Sequence, residues 1–290
     1  MSTSRGPTVR QRRLGIELRR LRETRGLTGD EVAARLAWST AKVSRLENAR
    51  TGARVGDITD LLKLYGVDGG RLDELIALAQ DATKRGWWED YAKLSPGYSE
   101  LISLESEADA SLQWDNLVVP GLLQTEPYAR HTVNGWNVVS TKPPAEIERW
   151  IEVRLRRQQV LHRPYPLKLD VVLDESVLHR LVGEPSVMAE QMEHLRQMSL
   201  LENVSVRILS LQGKHPILAS SFTLLEFSPV HDVTFPDIVH IESITFSYLD
   251  GEETTHMYRL AHQGMAKASL DEHETRRHLA AVRDRWHQRR

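Results

Sequence analysis

Cysteine is missing from all 290 residues, and that omission removes disulfides, thiolate zinc sites, iron–sulfur ligation and thiol catalysis together. It also suits a reducing cytoplasm. Long apolar runs are missing as well: no stretch of about 18 apolar residues occurs, so no membrane-spanning helix is expected. The opening MSTSRGPTVRQRRLG has no apolar segment of the kind a signal peptide needs. Neither the Gly-x-Gly-x-x-Gly pattern nor the phosphate-loop pattern is present, and no Gly-x-Ser-x-Gly nucleophile elbow occurs. Internal repeats and low-complexity tracts are absent too. The expectation is a cytoplasmic protein with no membrane partner, no cofactor, no bound metal, no catalytic residues and no enzymatic turnover.

The net charge is close to zero, at −2, but its distribution is uneven. Residues 1–54 carry 13 Lys/Arg against 5 Asp/Glu, a net of +8, whereas residues 86–290 carry 21 against 29, a net of −8. A basic head on an acidic body is the distribution of a nucleic-acid-binding module joined to a second domain. A solvated, Arg-rich first helix would give the same count. The length accommodates one small core and one larger one.

Periodicity divides the chain into a flexible arm (1–11), a helical domain (12–82), a junction (83–88) and a second domain (89–290). Leu14, Leu18 and Leu21 stand at i, i+4 and i+7 of a helix stopped by Gly26. Thr28 and Glu31 form a T-x-x-E capping box with Leu27 and Val32 at the staple positions, predicting a helix over 29–36. Ser39 is the next N-cap, with Trp38 and Val43 as its staple, and the third helix runs to about Asn48. Ile58, Leu61, Leu62 and Tyr65 mark a fourth helix stopped by Gly66; Leu72, Leu75, Ile76 and Ala79 mark a fifth. About five short helices make a compact bundle. In the junction, Gly86 supplies flexibility, and Trp87-Trp88 reads as interface or core rather than as a ligand cage.

Beyond the junction the pattern changes. A helix over 144–163 places Ile147, Trp150, Ile151 and Leu155 on one face, and residues 185–201 form another. Residues 167–173 read as a strand; Val204, Val206 and Ile208 alternate with Ser205 and Arg207 as a half-buried one. Residues 222–227 and 238–242 are further strands, and the last 40 residues return to helix through Leu279, Val282 and Trp286. The second domain is therefore expected to be α+β with a small sheet.

The segment 29–48, GDEVAARLAWSTAKVSRLEN, carries the functional signal. Two short helices joined by a tight turn must cross closely, which asks for a small residue such as Ala33 and inward apolar residues such as Val32, Leu36, Val43 and Leu46. Ala37 stands in the turn where Gly is usual. With Val43 and Leu46 inward, Thr40, Ala41, Ser44 and Arg45 face outward. Short side chains let the helix enter a major groove, and Arg45 can then reach guanine O6 and N7 bidentately. Ser39 and Asn48 bound that helix as further candidate DNA contacts. Lys42 and Arg50 lie at the rim, where phosphate contacts are expected, and the amide end of the second helix at Thr28 can take a phosphate.

On these residues the stretch 14–66 resembles the lambda-repressor-like, Xre-type helix-turn-helix, which LRRLRETRGLTGDEVAARLAWSTAKVSRLENAR follows almost position for position. The resemblance implies that Thr40, Ala41, Ser44 and Arg45 approach base edges and that Arg22 and Glu47 form a buried structural ion pair. The chain departs from the family at Gly29, where Gln often contacts phosphate, and at Ala53-Arg54, where Pro-Ser is frequent; Arg54 is a substitute phosphate contact. RGWW, EADASLQWDNLVVPGLLQTEPYAR, VRLRRQQVL, VVLDESVL, NVSVRILSL and FTLLEF resemble the C-terminal domain of actinobacterial regulators of the WhiJ kind. That resemblance implies a small protein partner encoded nearby; a small-molecule effector is the other reading.

Other chemistry is weaker. Among twelve His, the pairs His256/His262 and His273/His278 lack i, i+4 spacing and read as surface or capping residues. Asp174-Glu175 has a catalytic-carboxylate placement after a strand but reads more simply as a helix cap. Residues 119–130, VPGLLQTEPYAR, are either a pocket or partner-binding wall or a strand–turn–helix core element. The arginines at 276–277 and 283–290 read as a solvated helix face. The expected protein is thus a transcriptional repressor or activator that binds a double-stranded operator as a homodimer, near the nucleoid. An antitoxin-like protein holding a small partner is the alternative.

Overall fold

In the computed structural model the described residues are 7–50, 52, 54–91, 94–139, 141–242, 246–249 and 251–289. They divide into two units, one comprising Met1–Glu107 with Phe227–Phe235, the other Ala108–Glu226 with Pro236–Arg290.

The first unit is helical. Helices α1 (Val9–Thr24), α2 (Gly29–Leu36), α3 (Thr40–Glu47), α4 (Val55–Leu64) and α5 (Gly69–Thr83) share one core of Leu14, Leu18, Val32, Val43, Leu46, Ile58, Leu61, Leu62, Tyr65 and Leu75. Thr8 and Gln11 make a reciprocal capping box, so α1 starts at Val9, inside the stretch expected to be an arm. The reason is α6 (Pro96–Glu107), which the sequence pattern did not reveal. Val9 is buried, its amide donates to Ser103 Oγ, and Arg10 and Arg12 pair with Glu107 and Glu100 of α6. The same contacts carry the helical unit past the expected junction at 83–88 to Glu107. Gly86 is no loose hinge: a Cβ there would stand 2.4 Å from the Trp88 ring, which packs edge-on against Trp87.

The second unit is built on a six-stranded sheet of order β3-β2-β1-β4-β5-β6. The strands are β1 (Ala110–Asp115), β2 (Lys168–Asp174), β3 (Val204–Leu209), β4 (Phe222–Glu226), β5 (Ile238–Glu242) and β6 (Phe246–Leu249). The first three are mutually parallel and the last three antiparallel. The expected α+β class is the observed one, but β1, at the centre, and β6, at the edge, are additions to the expected set.

Helices α7 (Glu126–Gly135), α8 (Pro144–Arg157), α9 (Ser176–His179), α10 (Pro185–Met198), α11 (Glu252–Ala268) and α12 (Glu272–Gln288) complete the unit. Helix α8 stops at Arg157, where a 3-10 turn covers Gln158–Leu161, so it is shorter than the stretch 144–163. One core lies between sheet and α11, with Trp114, Val172, Leu209, Phe222, Leu224, Val239 and Met265. Among the described residues no helix is long and apolar enough to cross a membrane.

Candidate nucleic-acid interface

The geometry of α2 and α3 follows from local chemistry. Thr28 and Glu31 cap α2 reciprocally: the Glu31 amide donates to Thr28 Oγ1 at 3.2 Å and the Thr28 amide to Glu31 Oε2 at 2.8 Å. Ala37 then adopts the left-handed conformation, with φ 54° and ψ 40°, and lets the Trp38 amide reach Ala33 O at 2.8 Å. Ser39 starts α3 by accepting from the Lys42 amide at 3.3 Å. Val43 and Leu46 go into the core, and Ser39, Thr40, Ala41, Ser44, Arg45, Asn48 and Arg50 are exposed.

Two contacts fix α3 against α1. Arg22 donates through Nε and Nη2 to both Glu47 oxygens at 2.6 and 2.9 Å, and through Nη1 to Leu27 O at 2.8 Å. Glu47 thereby raises the Arg22 pKa against the opposing cost of burial. Gly15 is the second: a Cβ there would lie 2.4 Å from Glu47 O and 3.2 Å from Leu46 O. The backbones of α1 and α3 meet at this point. A glycine in the middle of an amphipathic helix was the available signal for such an approach, and the motif reading passed over it.

The expected contacts divide by what they already touch. Arg45, Arg50 and Arg54 have no side-chain hydrogen bond or ion pair among the described residues. Ala41 offers only a methyl group. Thr40 donates to Asp30 Oδ1 at 2.5 Å, tying α3 back to α2. Asn48 folds onto its own helix, donating to Ser44 O at 2.7 Å and Ser44 Oγ at 3.3 Å.

Lys42, expected to be a phosphate contact, is engaged instead: its Nζ is 2.7 Å from Asp57 Oδ1 and 3.5 Å from the centroid of Trp38. The amide end of α2 is similarly taken. Glu31 engages both the hydroxyl and the amide of Thr28, placing a carboxylate where a phosphate was expected; those hydrogen bonds hold its pKa below the usual carboxylate range. Gly29 has room, since a Cβ would meet only Thr40 Cγ2 at 3.9 Å. Ala53 lies outside the described residues.

In the second unit, residues 119–130 form a 3-10 turn (Gly121–Leu123) leading into α7, not a strand. Val119, Leu122, Leu123, Gln124, Tyr128 and Ala129 are buried. Gln191 clasps the turn, accepting from the Thr125 amide at 2.8 Å and donating to Leu123 O at 2.7 Å. The segment is a core element. Asp174 Oδ1 accepts from the Ser176 amide at 2.9 Å and acts as a cap, whereas Glu175 turns toward Ser210 and Leu211. His262 is a buried histidine hydrogen-bonded to Asp170 O at 3.1 Å.

A family model described as a helix-turn-helix domain matches residues 13–75. A second, described as a domain of unknown function (DUF5753), matches residues 98–281. No curated protein matches the chain, and no solved structure does.

Proposed function

The chain belongs to the family described as a domain of unknown function (DUF5753), here behind a helix-turn-helix, and on that footing we propose that it regulates transcription by sequence-specific operator binding. The helix-turn-helix supports the DNA-binding role. The single observation that carries the finer reading is the outward face of α3: short side chains around one long arginine, Arg45, which like Arg50 and Arg54 close by in sequence has no ion-pair partner among the described residues. In this reading α3 enters the major groove, Arg45 reads a guanine, and Arg50 and Arg54 hold phosphates. Ala41 and Ser44 admit the helix, while Thr40 and Asn48 serve mainly to shape it. The module is of the Xre type, in a WhiJ-like actinobacterial regulator. The protein acts in the cytoplasm on the nucleoid and performs no turnover of its own.

Operator binding as a homodimer would set two half-sites about 34–36 Å apart, or a multiple of that. The second unit would then transmit a signal from a small protein or a ligand, a coupling that typically amounts to about 1–3 kcal/mol.

The experiment is selection of bound duplexes from random DNA at near-physiological salt, followed by affinity measurement for Arg45→Ala and Arg50→Ala. Arg45→Ala is expected to lose about 1–3 kcal/mol on the selected site and to relax one base pair. Arg50→Ala should weaken all sequences alike and reduce the salt slope by about 1. No enriched sequence, with or without the neighbouring small protein, would refute the proposal.

A further inference from the structure

Two parallel strands of the second unit, β2 and β3, end side by side, and the carboxyl edge of a parallel sheet is where α/β proteins generally place ligands. Glu175 follows β2 directly. His179 lies one helical turn later, at the end of α9, and His278 comes from α12. Trp286 donates to Leu178 O at 2.9 Å, so α12 is docked on α9 close to this point. His278 Nε2 is 3.1 Å from Glu175 Oε1, and His179 Nε2 is 3.6 Å from the same oxygen. The three ligand atoms all lie within 4.8 Å of one another.

These distances carry information. A tetrahedral zinc ion with bonds of about 2.0–2.1 Å separates neighbouring ligand atoms by about 3.3 Å. The two measured edges bracket that value. A histidine–carboxylate hydrogen bond accounts by length for the 3.1 Å edge but not for the 3.6 Å edge. His278 Nε2 is buried and, among the described residues, makes no well-aligned hydrogen bond, although the Glu175 oxygen is 3.1 Å away. A ring nitrogen offset from the oxygen in this way is the arrangement of two ligands that share one metal ion. The other carboxylate oxygen is already occupied. Ser210 Oγ and the Leu211 amide donate to Glu175 Oε2 at 2.9 and 3.0 Å, which orients the group and leaves Oε1 directed at the two imidazoles.

We propose that Glu175, His179 and His278 bind one divalent transition-metal ion of the zinc class, with Ser210 and the Leu211 amide as the outer hydrogen bonds that orient the carboxylate. Two imidazoles and a carboxylate suit Zn²⁺, Co²⁺ or Ni²⁺, whereas Mg²⁺ and Ca²⁺ take oxygen ligands. Three protein ligands leave a fourth position to water or to an incoming anionic or nitrogenous group. The site joins α9, the end of β3 and α12, so metal occupancy would fix the C-terminal helix to the sheet.

The test uses the untagged full chain, stripped with a chelator and titrated with Zn²⁺ against a chromophoric competitor, and separately with Co²⁺ alone. The expected result is one Zn²⁺ per chain, undisturbed by millimolar Mg²⁺, and the visible absorption of tetrahedral Co²⁺. His179→Gln and His278→Gln should each weaken Zn²⁺ at least tenfold and abolish the Co²⁺ band. Ser210→Ala, which leaves every ligand in place, should weaken Zn²⁺ by about tenfold. Substoichiometric uptake by the wild-type chain would overturn the assignment, as would one-to-one uptake that the His variants leave unchanged. His179 lies on a four-residue helix at the surface, so His179→Gln and Ser210→Ala decide the matter even if His278→Gln fails to fold. The readout needs no DNA and stands apart from the operator experiment.

Discussion

Gly15→Ala sets two ordinary effects against each other with opposite signs. In an exposed helix interior, replacing Gly by Ala stabilises by about 0.8–1.0 kcal/mol. At position 15 the new methyl would stand 2.4 Å from Glu47 O and 3.0 Å from the Glu47 carbonyl carbon. Ordinary van der Waals separation requires the helices to part by roughly 1 Å. The obstacle is backbone, which no rotamer change can move. Overpacking of this kind costs about 1–3 kcal/mol, and a backbone obstacle lies at the upper end. The net expectation is a loss of about 1–2 kcal/mol, a fall in Tm on the order of 5–10 °C for a unit of this size. DNA affinity should fall as well, because the displaced element is the end of α3. Thermal unfolding of the full chain by calorimetry is the assay. Gly56→Ala is the control: Gly56 is in the first turn of α4 with open space around it, and that substitution should raise Tm. A higher Tm for Gly15→Ala would refute the close approach of α1 and α3.

Ala37→Gly should stabilise on the order of 0.5–1 kcal/mol, because relief of left-handed strain of about 1–2 kcal/mol outweighs the greater unfolded freedom of Gly; denaturant midpoints measure it. Removing one partner of the Arg22–Glu47 pair leaves a largely buried charge, so Glu47→Gln should cost about 3 kcal/mol. Combining it with Arg22→Met should cost less than the sum of the two, and additivity in that cycle would mean the pair does not couple. Lys42→Ala should change DNA affinity less than Arg50→Ala, since Lys42 is engaged by Asp57 in the free protein; equal losses in a salt titration would contradict this. Burial, with Arg157 as a lesser cause, pushes His240 down to about 4. Unfolded histidine titrates near 6.5, so between about pH 6.5 and 4 the unfolded chain takes up the proton and the folded one does not. Stability from this residue is complete above that window and declines as pH falls through it, by about 3 kcal/mol at most. His240→Phe should flatten that part of the stability–pH curve.

What could be read from the sequence was local. The Thr28/Glu31 box, the Ser39 cap and the inward Val43 and Leu46 are relations within a few residues, and each appears at its expected position. Strand β1 escaped because it lies at the centre of the sheet and still buries Ser111 and Gln113, which hydrogen-bond to each other. Buried polar residues satisfied in this way break the apolar signature by which a central strand is recognised. The helical unit reaches past 83–88 for a different reason: Arg10 and Arg12 find Glu107 and Glu100 only after the chain has folded back. Lys42 looked free because Asp57 belongs to another helix. His278 pairs in sequence with His273, whereas the groups beside it in the fold are Glu175 and His179, far away in the chain.

The excursion Phe227–Phe235 between β4 and β5 belongs to the helical unit, where Val233 is buried in the core and Arg71 donates to His231 O. That unit is therefore discontinuous in sequence, and this bears on its order of assembly. At about 5–20 residues per second, the ribosome needs roughly 6–26 s after Glu107 to deliver residue 235. Until then the helix bundle lacks one of its own core side chains, worth about 1.5–3 kcal/mol once buried. A nascent chain is in the same position as a fragment cut at residue 107: its helix-turn-helix is made, but the bundle beneath it is unfinished. The bundle reaches its full stability only once most of the second unit has been translated, so prematurely terminated chains should carry a less stable helix-turn-helix unit.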